Sequence, residues 1–138
     1  MVAATMIRAH FILFVASQAR STAFYRSVLA CAPTLDVPGM SEFELAGGAT
    51  LGIMPASGAR RLLSGRLPQL AAGQGAPATE LYLVVASPAE FHARALRAGA
   101  VEISPLLRRD WGHDAAYCLD LDGHLIAFAG IADASRSE

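Results

Sequence analysis

The sequence contains no lysine, and all 11 of its basic residues are arginines, set against 12 acidic residues. Charged residues make up only 17% of the chain and hydrophobic residues 54%. The net charge of −1 at pH 7 gives no electrostatic basis for binding nucleic acid or an anionic membrane, and we expect neither partner. A surface so poor in charge suits a protein that buries part of it against a second copy, so we expect a homodimer.

Cysteine is scarce as well. Cys31 and Cys118 show neither the spacing of a metal site nor a redox motif, so we expect two reduced structural thiols in a cytoplasmic protein. No apolar run approaches the roughly 18 to 20 residues of a membrane span. Arg8 and His10 interrupt the apolar stretch near the N-terminus, so no signal peptide is expected.

The chain also lacks the common catalytic signatures. It has no nucleophile elbow, no glycine loop that would cradle a phosphate, and no Cys/His pair arranged for nucleophilic catalysis. At 138 residues it is long enough for one domain with a real core, but short for two independent domains. The sequence therefore leaves the catalytic residues unknown, and the question of an enzyme stays open, with a non-enzyme favoured.

The first 54 residues predict a strand, a helix and a hairpin. Residues 6–16 are short and rich in branched and aromatic side chains, which is typical of a buried strand, and Ser17 is a good N-cap for a helix over 19–30. Strands at 42–45 and 50–54 flank an Ala-Gly-Gly turn. The predicted buried face of the helix comprises Ala23, Phe24, Val28 and Leu29.

Residues 55–79 predict a long connection with a short helical turn around Leu62 and Leu63. The pattern then returns, with a strand over 80–86, a helix over 89–97 and a strand over 101–106. The helix carries His92, expected at the surface or partly buried. The last elements are a hairpin around Asp122-Gly123 and a frayed tail over 132–138.

The two halves repeat one plan. Sliding the sequence by 70 positions sets His10 against Glu80, and superimposes two Val-Ala-Ser blocks that each close a strand and open a helix. With a short gap the later hairpins also match, and Gly52 falls opposite Ala127. The plan in each half is strand, helix and three strands.

The closing stretch, from Asp110-Trp-Gly through the Asp-Leu-Asp-Gly turn to Ala129, resembles the closing hairpin of the vicinal-oxygen-chelate superfamily. That superfamily contains glyoxalase I, bleomycin-resistance proteins and extradiol dioxygenases. Phe24-Tyr25 also resembles a recurrent pair of this family, and the resemblance extends from about Arg8 to Ala129. It implies an α+β fold in which two β-α-β-β-β modules form a curved, partly open mixed sheet around a cleft. The expected single domain, 1–138, has module one at about 7–54, a connection at 55–79 and module two at about 80–129.

The resemblance also implies where a metal would be held. In metal-dependent members, four ligand positions fall on residues equivalent to His10, Gly52, Glu80 and Ala127 of this chain. Gly52 and Ala127 have no donor atoms, and two remaining ligands are too few for a stable site. We therefore predict no cofactor, with one divalent metal ion held by His10 and Glu80 as the alternative. His113 lies on the adjoining strand and is the best replacement ligand, although its face is not fixed by the sequence.

Five residues are the candidates for binding a small molecule in the cleft. His10 and Glu80 begin equivalent strands, although a lone histidine in an apolar strand is more often a hydrogen-bonded core residue. Trp111 precedes a glycine at a strand entrance, where it suits a cavity rim, and the loop from Gly58 to Gly75 is placed to cover it. The full set is His10, Glu80, Trp111, His113 and Tyr117.

Three functions remain open. The favoured one is a metal-free binder of a small apolar or aromatic molecule, as in the bleomycin-resistance branch of the family that the chain resembles. The alternative is a metal-dependent lyase, isomerase or dioxygenase with an atypical ligand set, and the third is a structural or interaction module with a vestigial cleft. The fold alone does not separate them.

Overall fold

The structure is a computed structural model that describes residues 6–63 and 77–131. These residues form two compact units, the first holding 6–26 and 30–63 and the second holding 27–29 and 77–131. No helix in the described ranges is long and apolar enough to cross a membrane. The predicted tail and most of the predicted connection and covering loop lie outside the described residues.

The first module is a mixed four-stranded sheet with one helix. Its elements are β1 (Ala9–Val15), α1 (Gln18–Leu29), β2 (Leu35–Val37), β3 (Met40–Leu45) and β4 (Ala49–Pro55). The strand order is β1-β4-β3-β2, with β1 parallel to β4 and the other pairs antiparallel. The predicted turn between β3 and β4 is confirmed, and it needs glycine because Gly47 and Gly48 have φ angles of 74° and 78°.

The second module repeats this arrangement after a short helix, α2 (Ala56–Leu62). Its elements are β5 (Glu80–Val84), α3 (Pro88–Arg97), β6 (Val101–Arg108), β7 (His113–Leu119) and β8 (Leu125–Ile131). The strand order is β5-β8-β7-β6, and again the first and last strands of the module pair in parallel. The α+β fold with two β-α-β-β-β modules is therefore confirmed.

The strand registers confirm the internal repeat. Ile12 pairs with Gly52 in the first sheet, and Tyr82, 70 positions after Ile12, pairs with Ala127 in the second. Gly52 and Ala127 are thus equivalent positions, as the alignment of the two halves predicted. The same register sets Glu42 beside Gly52 and Tyr117 beside Ala127 on the next strand.

Each helix covers one face of its own sheet. On the first sheet, the Thr22 hydroxyl lies 2.9 Å from the Ser41 hydroxyl, so α1 packs on the face that Ser41 shares. On the second, the Phe91 and Phe128 rings lie 5.8 Å apart, so α3 packs on the face of Phe128. Because side chains alternate along a strand, the neighbours of Ser41 and Phe128 occupy the faces that these helices leave open.

The ends of the helices agree with the sequence in part. Ser17 is confirmed as an N-cap, since its hydroxyl accepts a hydrogen bond from the Arg20 backbone N–H at 3.2 Å. The predicted helical turn around Leu62 is the end of a seven-residue helix that begins at Ala56. Ala23 was predicted to be buried and is exposed, because the buried face of α1 is formed by Phe24, Tyr25 and Val28.

His92 is more deeply buried than its sequence context indicates. Its Nε2 lies 2.9 Å from the Glu102 carboxylate, and its ring packs edge-on to Phe128 at 6.3 Å. Nδ1 of the same ring is buried without a hydrogen-bond partner in the described part of the chain. Glu102 therefore provides the polar contact that allows an imidazole between α3 and the sheet.

We expect Glu102→Ala to lower the free energy of unfolding by about 1 to 3 kcal/mol, because it leaves a buried imidazole N–H unpaired. The lower end is expected, since the Glu102 side chain is 43% exposed and water can replace it. Urea denaturation measures the change. Glu90→Ala, which removes the exposed partner of Arg94 on the same helix, is the matched control and should cost less than about 0.5 kcal/mol. An equal loss of unfolding free energy in the two variants would contradict the role of Glu102 as the hydrogen-bond partner of His92.

Candidate functional site

The face of the second sheet that α3 leaves open has a floor of alanines between two tyrosines. Tyr82, Ala127 and Tyr117 form one row across β5, β8 and β7. The neighbouring row includes Ala129 and Ala115, and all three alanines are fully buried. The centre of this face is therefore flat, and the large side chains stand at its sides.

A chain of hydrogen bonds joins three aromatic side chains on this face. The Trp111 indole N–H donates to the Tyr82 hydroxyl at 2.8 Å, and that hydroxyl lies 2.6 Å from His113 Nδ1. The Tyr82 and His113 rings are also stacked, with centroids 5.8 Å apart and planes 27° apart. To reach β7 from β5, the Tyr82 side chain must cross β8. The two positions of β8 on this face nearest to its path, 127 and 129, are both alanine.

The donor count assigns the protons of this chain. An indole N–H only donates, so the Tyr82 oxygen is an acceptor toward Trp111. The one proton of the phenol is then free to bond His113 Nδ1, and Tyr82 has no other acceptor among residues 6–63 and 77–131. We infer that His113 Nδ1 is the acceptor, which places the proton of the neutral imidazole on Nε2. His113 thus offers an N–H donor beyond its contact with Tyr82.

Arg109 crosses the edge of the same face. Two irregularities in the β6 register, between Glu102 and Ser104 and between Ser104 and Leu107, interrupt the ladder with β7. The Arg109 guanidinium donates to the Ala115 carbonyl, at 2.7 Å from Nη2, and to the Ser104 hydroxyl, also at 2.7 Å. Its Cζ lies 5.0 Å from the centre of the Tyr117 ring.

Tyr117 is neutral on this face at ordinary pH. Burial raises the pKa of its phenol, and the negative charges of Glu80 and of an ionised Tyr82 raise it further, while Arg109 opposes them. The influence of Glu80 is consistent with its register, two positions before Tyr82 on the same face of β5. Cys118 points to the other face, where burial and then Asp120 raise the pKa of its thiol to about 11, as expected for an unreactive structural cysteine.

The first unit holds a different pair. His10 Nδ1 lies 3.6 Å from a Glu42 carboxylate oxygen, an ion pair when the imidazole is protonated. Both side chains lie on the face that α1 leaves open, as do Ile12 and Gly52. The carboxylate on this face is thus carried by β3, beside the position on β4 where the family resemblance places a ligand.

The residues present do not fit the four-ligand metal centre that the resemblance implies. A Cβ added at Gly52 would lie 3.0 Å from Ile12 Cγ1 and 3.3 Å from Met40 Sδ, so apolar side chains fill the space into which a ligand would project. Ala127 lies between two tyrosines in the register. Within the described residues, no three His, Cys, Asp or Glu side chains are close enough to hold one ion. The absence of a bound metal stays a prediction.

An open concavity of about 600 Å³ lies on the other side of the first module, lined by Gln18, Ala19, Thr22, Ala23, Arg26, Asp36, Val37 and Pro38. It contains none of the predicted site residues. Its polar groups bond one another: the Gln18 amide donates to the Val37 carbonyl at 2.8 Å and accepts from the Gly39 N–H at 2.9 Å. These bonds hold β2 and its turn against α1, so we interpret the concavity as structural.

Four of the five predicted site residues share the open face of the second unit: Glu80, Trp111, His113 and Tyr117. His10 lies in the first unit. The sequence analysis did not include Tyr82, Arg109 or Glu42 among the site residues. The alternation along β5 could have identified Tyr82, because it lies two positions after Glu80. The side chain of Arg109 could not be placed, since the two register shifts in β6 are not visible in the sequence.

Known proteins with the same fold are numerous, although none of the curated proteins matches this chain. A glyoxalase-related enzyme from Fulvimarina pelagi is 20% identical with a TM-score of 0.74, covering 88% of this chain and 86% of its own. A glyoxalase/bleomycin resistance protein/dioxygenase family enzyme from Burkholderia phytofirmans PsJN is 16% identical with a TM-score of 0.77, covering 90% and 98%. A protein of unknown function from Agrobacterium tumefaciens is 23% identical with a TM-score of 0.75, covering 96% and 98%. At these identities the likeness extends to the fold alone.

The family assignment comes from the sequence match. The family model of the Glyoxalase/Bleomycin resistance protein/Dioxygenase superfamily matches residues 7–128, which is nearly all of the chain. It extends over both β-α-β-β-β modules. The chain therefore belongs to the Glyoxalase/Bleomycin resistance protein/Dioxygenase superfamily.

Proposed function

We propose that the protein is a metal-free binder of a small aromatic or apolar molecule, held on the open face of the second sheet. The observation that carries this proposal is the hydrogen-bonded chain from Trp111 through Tyr82 to His113 above an alanine floor. Binding sites for small molecules combine mostly apolar walls with a few fixed polar groups that orient the ligand. Tyr82 and Trp111 supply the walls, and His113 supplies an oriented N–H.

The exposure and the fixed orientation of Trp111 support a role in ligand binding over a purely structural role. Its side chain is 57% exposed, yet its indole N–H is fixed by a hydrogen bond. An exposed aromatic ring held in one orientation loses little conformational entropy when a ligand packs against it. If the three residues only held the segment before β7 against the sheet, there would be no reason for the indole ring to be exposed to solvent.

A metal-dependent lyase, isomerase or dioxygenase is the second candidate. It is favoured by one observation, the Glu42 carboxylate 3.6 Å from His10, because it gives the predicted histidine ligand an oxygen donor. Two donors in one unit are still one short of the smallest common site. The homodimer and the cytoplasmic location also stay predictions, and the molar mass by light scattering is the direct measurement for the first.

We expect small aromatic compounds to change the fluorescence of Trp111, the only tryptophan in the chain, on binding. His113→Ala should weaken their binding by about 1 to 3 kcal/mol, because it removes a hydrogen-bond donor from the site. Tyr82→Phe should weaken it as well, since the phenol orients both neighbours. Fluorescence titration of each variant with the same compounds measures these changes.

The matched control for the histidine variant is His124→Ala, in the turn before β8, which should leave the affinity unchanged. His10→Ala reports whether the first unit takes part in binding. Compounds whose affinity is indifferent to both Tyr82→Phe and His113→Ala would contradict the proposed site. The structural alternative would then be preferred.

We also expect the protein, purified without a metal-affinity tag, to contain less than about 0.1 equivalent of zinc, iron, manganese or nickel, because a stable protein site needs three or four ligands. Elemental analysis measures the content directly. A near-stoichiometric metal that is lost in both His10→Ala and Glu42→Gln would overturn the metal-free proposal. It would establish the His10–Glu42 pair as part of a metal site.

A further inference from the structure

Arg109 differs from Arg94 and Arg108 in the partners of its charge. Arg94 pairs with the Glu90 carboxylate at 3.0 Å and Arg108 with the Asp114 carboxylate at 2.9 Å. Arg109 is half-buried, and its partners are the Ser104 hydroxyl and the backbone carbonyls of Pro105 and Ala115. Among residues 6–63 and 77–131, no carboxylate lies within ion-pair distance of Arg109.

The bonds of Arg109 also leave one nitrogen of its guanidinium unused. Nε and Nη2 make all of its hydrogen bonds, and Nη1, with two N–H donors, makes none to the described residues. The stack on Tyr117 and the contacts with Ala115 and Ser104 fix the plane of the group. The hydrogen bonds of Nε and Nη2 are explained by a structural role, because they satisfy the Ala115 carbonyl where the β6–β7 ladder is interrupted. It does not explain why a charge is held there with no counter-charge.

The position of Arg109 relates it to the proposed ligand. Its backbone N–H donates to the His113 carbonyl at 2.8 Å, so the two residues stand opposite each other across β6 and β7. Its guanidinium lies over Tyr117, which shares a row with Ala127 and Tyr82. Glu80, the carboxylate on this face, begins β5, three strands away and roughly 14 Å from β6 at about 4.8 Å per strand.

We propose that Arg109 binds the acidic group of the ligand, and that the site takes a planar aromatic anion such as an aromatic carboxylate. This inference rests on the proposed function and restricts its ligand to aromatic anions. The aromatic ring packs on the faces of Tyr82, Tyr117 and Trp111, while Nη1 of Arg109 and the Nε2–H of His113 donate to the acid. The plane of the guanidinium is already fixed, and the two N–H groups of Nη1 carry part of its positive charge, so Nη1 is suited to donate charge-assisted hydrogen bonds to a carboxylate.

The test compares two probes of one shape, naphthalene-2-carboxylate and its neutral amide, naphthalene-2-carboxamide, by isothermal titration calorimetry on the full chain. We expect the native protein to bind the carboxylate about 10-fold to 100-fold more tightly, the range for a hydrogen bond to a charged group. Arg109→Gln should abolish this preference while the amide still binds. Arg108→Gln, which removes the same charge from the neighbouring and already paired arginine, should retain it.

Thermal denaturation of each variant shows whether Arg109→Gln is folded. If it is not, Arg109→Lys, which keeps the charge and loses the planar guanidinium with its fixed N–H donors, should retain the fold and reduce the preference. A preference that persists in a folded Arg109→Gln would overturn the anion proposal. Equal binding of both probes, lost in Tyr82→Phe, would overturn the anion proposal alone and leave the aromatic binder standing. Failure of both probes to bind the native protein would overturn both proposals.

Discussion

Tyr82 can cross β8 to reach His113 only because alanine stands at 127 and 129. Any longer side chain at these positions would project into the path of the phenol ring, since all of them lie on one face of the sheet. The hydrogen bonds to Trp111 and His113 depend on that crossing, and so does the burial of the alanine floor. The small residue that removes a metal donor from the second module is therefore also the residue that makes room for the aromatic chain.

The equivalent position of the first module is used differently. At Gly52 the free space is filled by Ile12 and Met40, and the polar groups of that face include the His10–Glu42 pair. The same arrangement thus carries apolar side chains beside a histidine and a carboxylate in the first module, and hydrogen-bonded aromatic residues with an arginine in the second. A scaffold that repeats its strand order can vary the two faces independently, because each register row is set by its own strands.

The sequence predicted the elements well and the site in part, for identifiable reasons. The repeat aligned Gly52 with Ala127 correctly, because alignment by whole modules preserves strand register. Trp111, His113 and Tyr117 were predicted from their place in the closing hairpin, and the structure places all three on one face. Their connection through Tyr82 was not predicted, since it depends on a side chain that crosses a strand. The paired burial of His92 with Glu102 was missed because it depends on how α3 packs, which helical periodicity does not specify.

Through its hydrogen bond to Nδ1, Tyr82 fixes the proton of the neutral His113 ring on Nε2. Nitrogen-15 NMR of the imidazole side chains, with His113 assigned among the four histidines by the spectrum of His113→Ala, tests it directly. For the neutral imidazole, we expect a single tautomer with Nδ1 unprotonated, and a mixture of tautomers in Tyr82→Phe. A native His113 that is protonated on Nδ1, or whose tautomer is unchanged by Tyr82→Phe, would contradict this role of Tyr82.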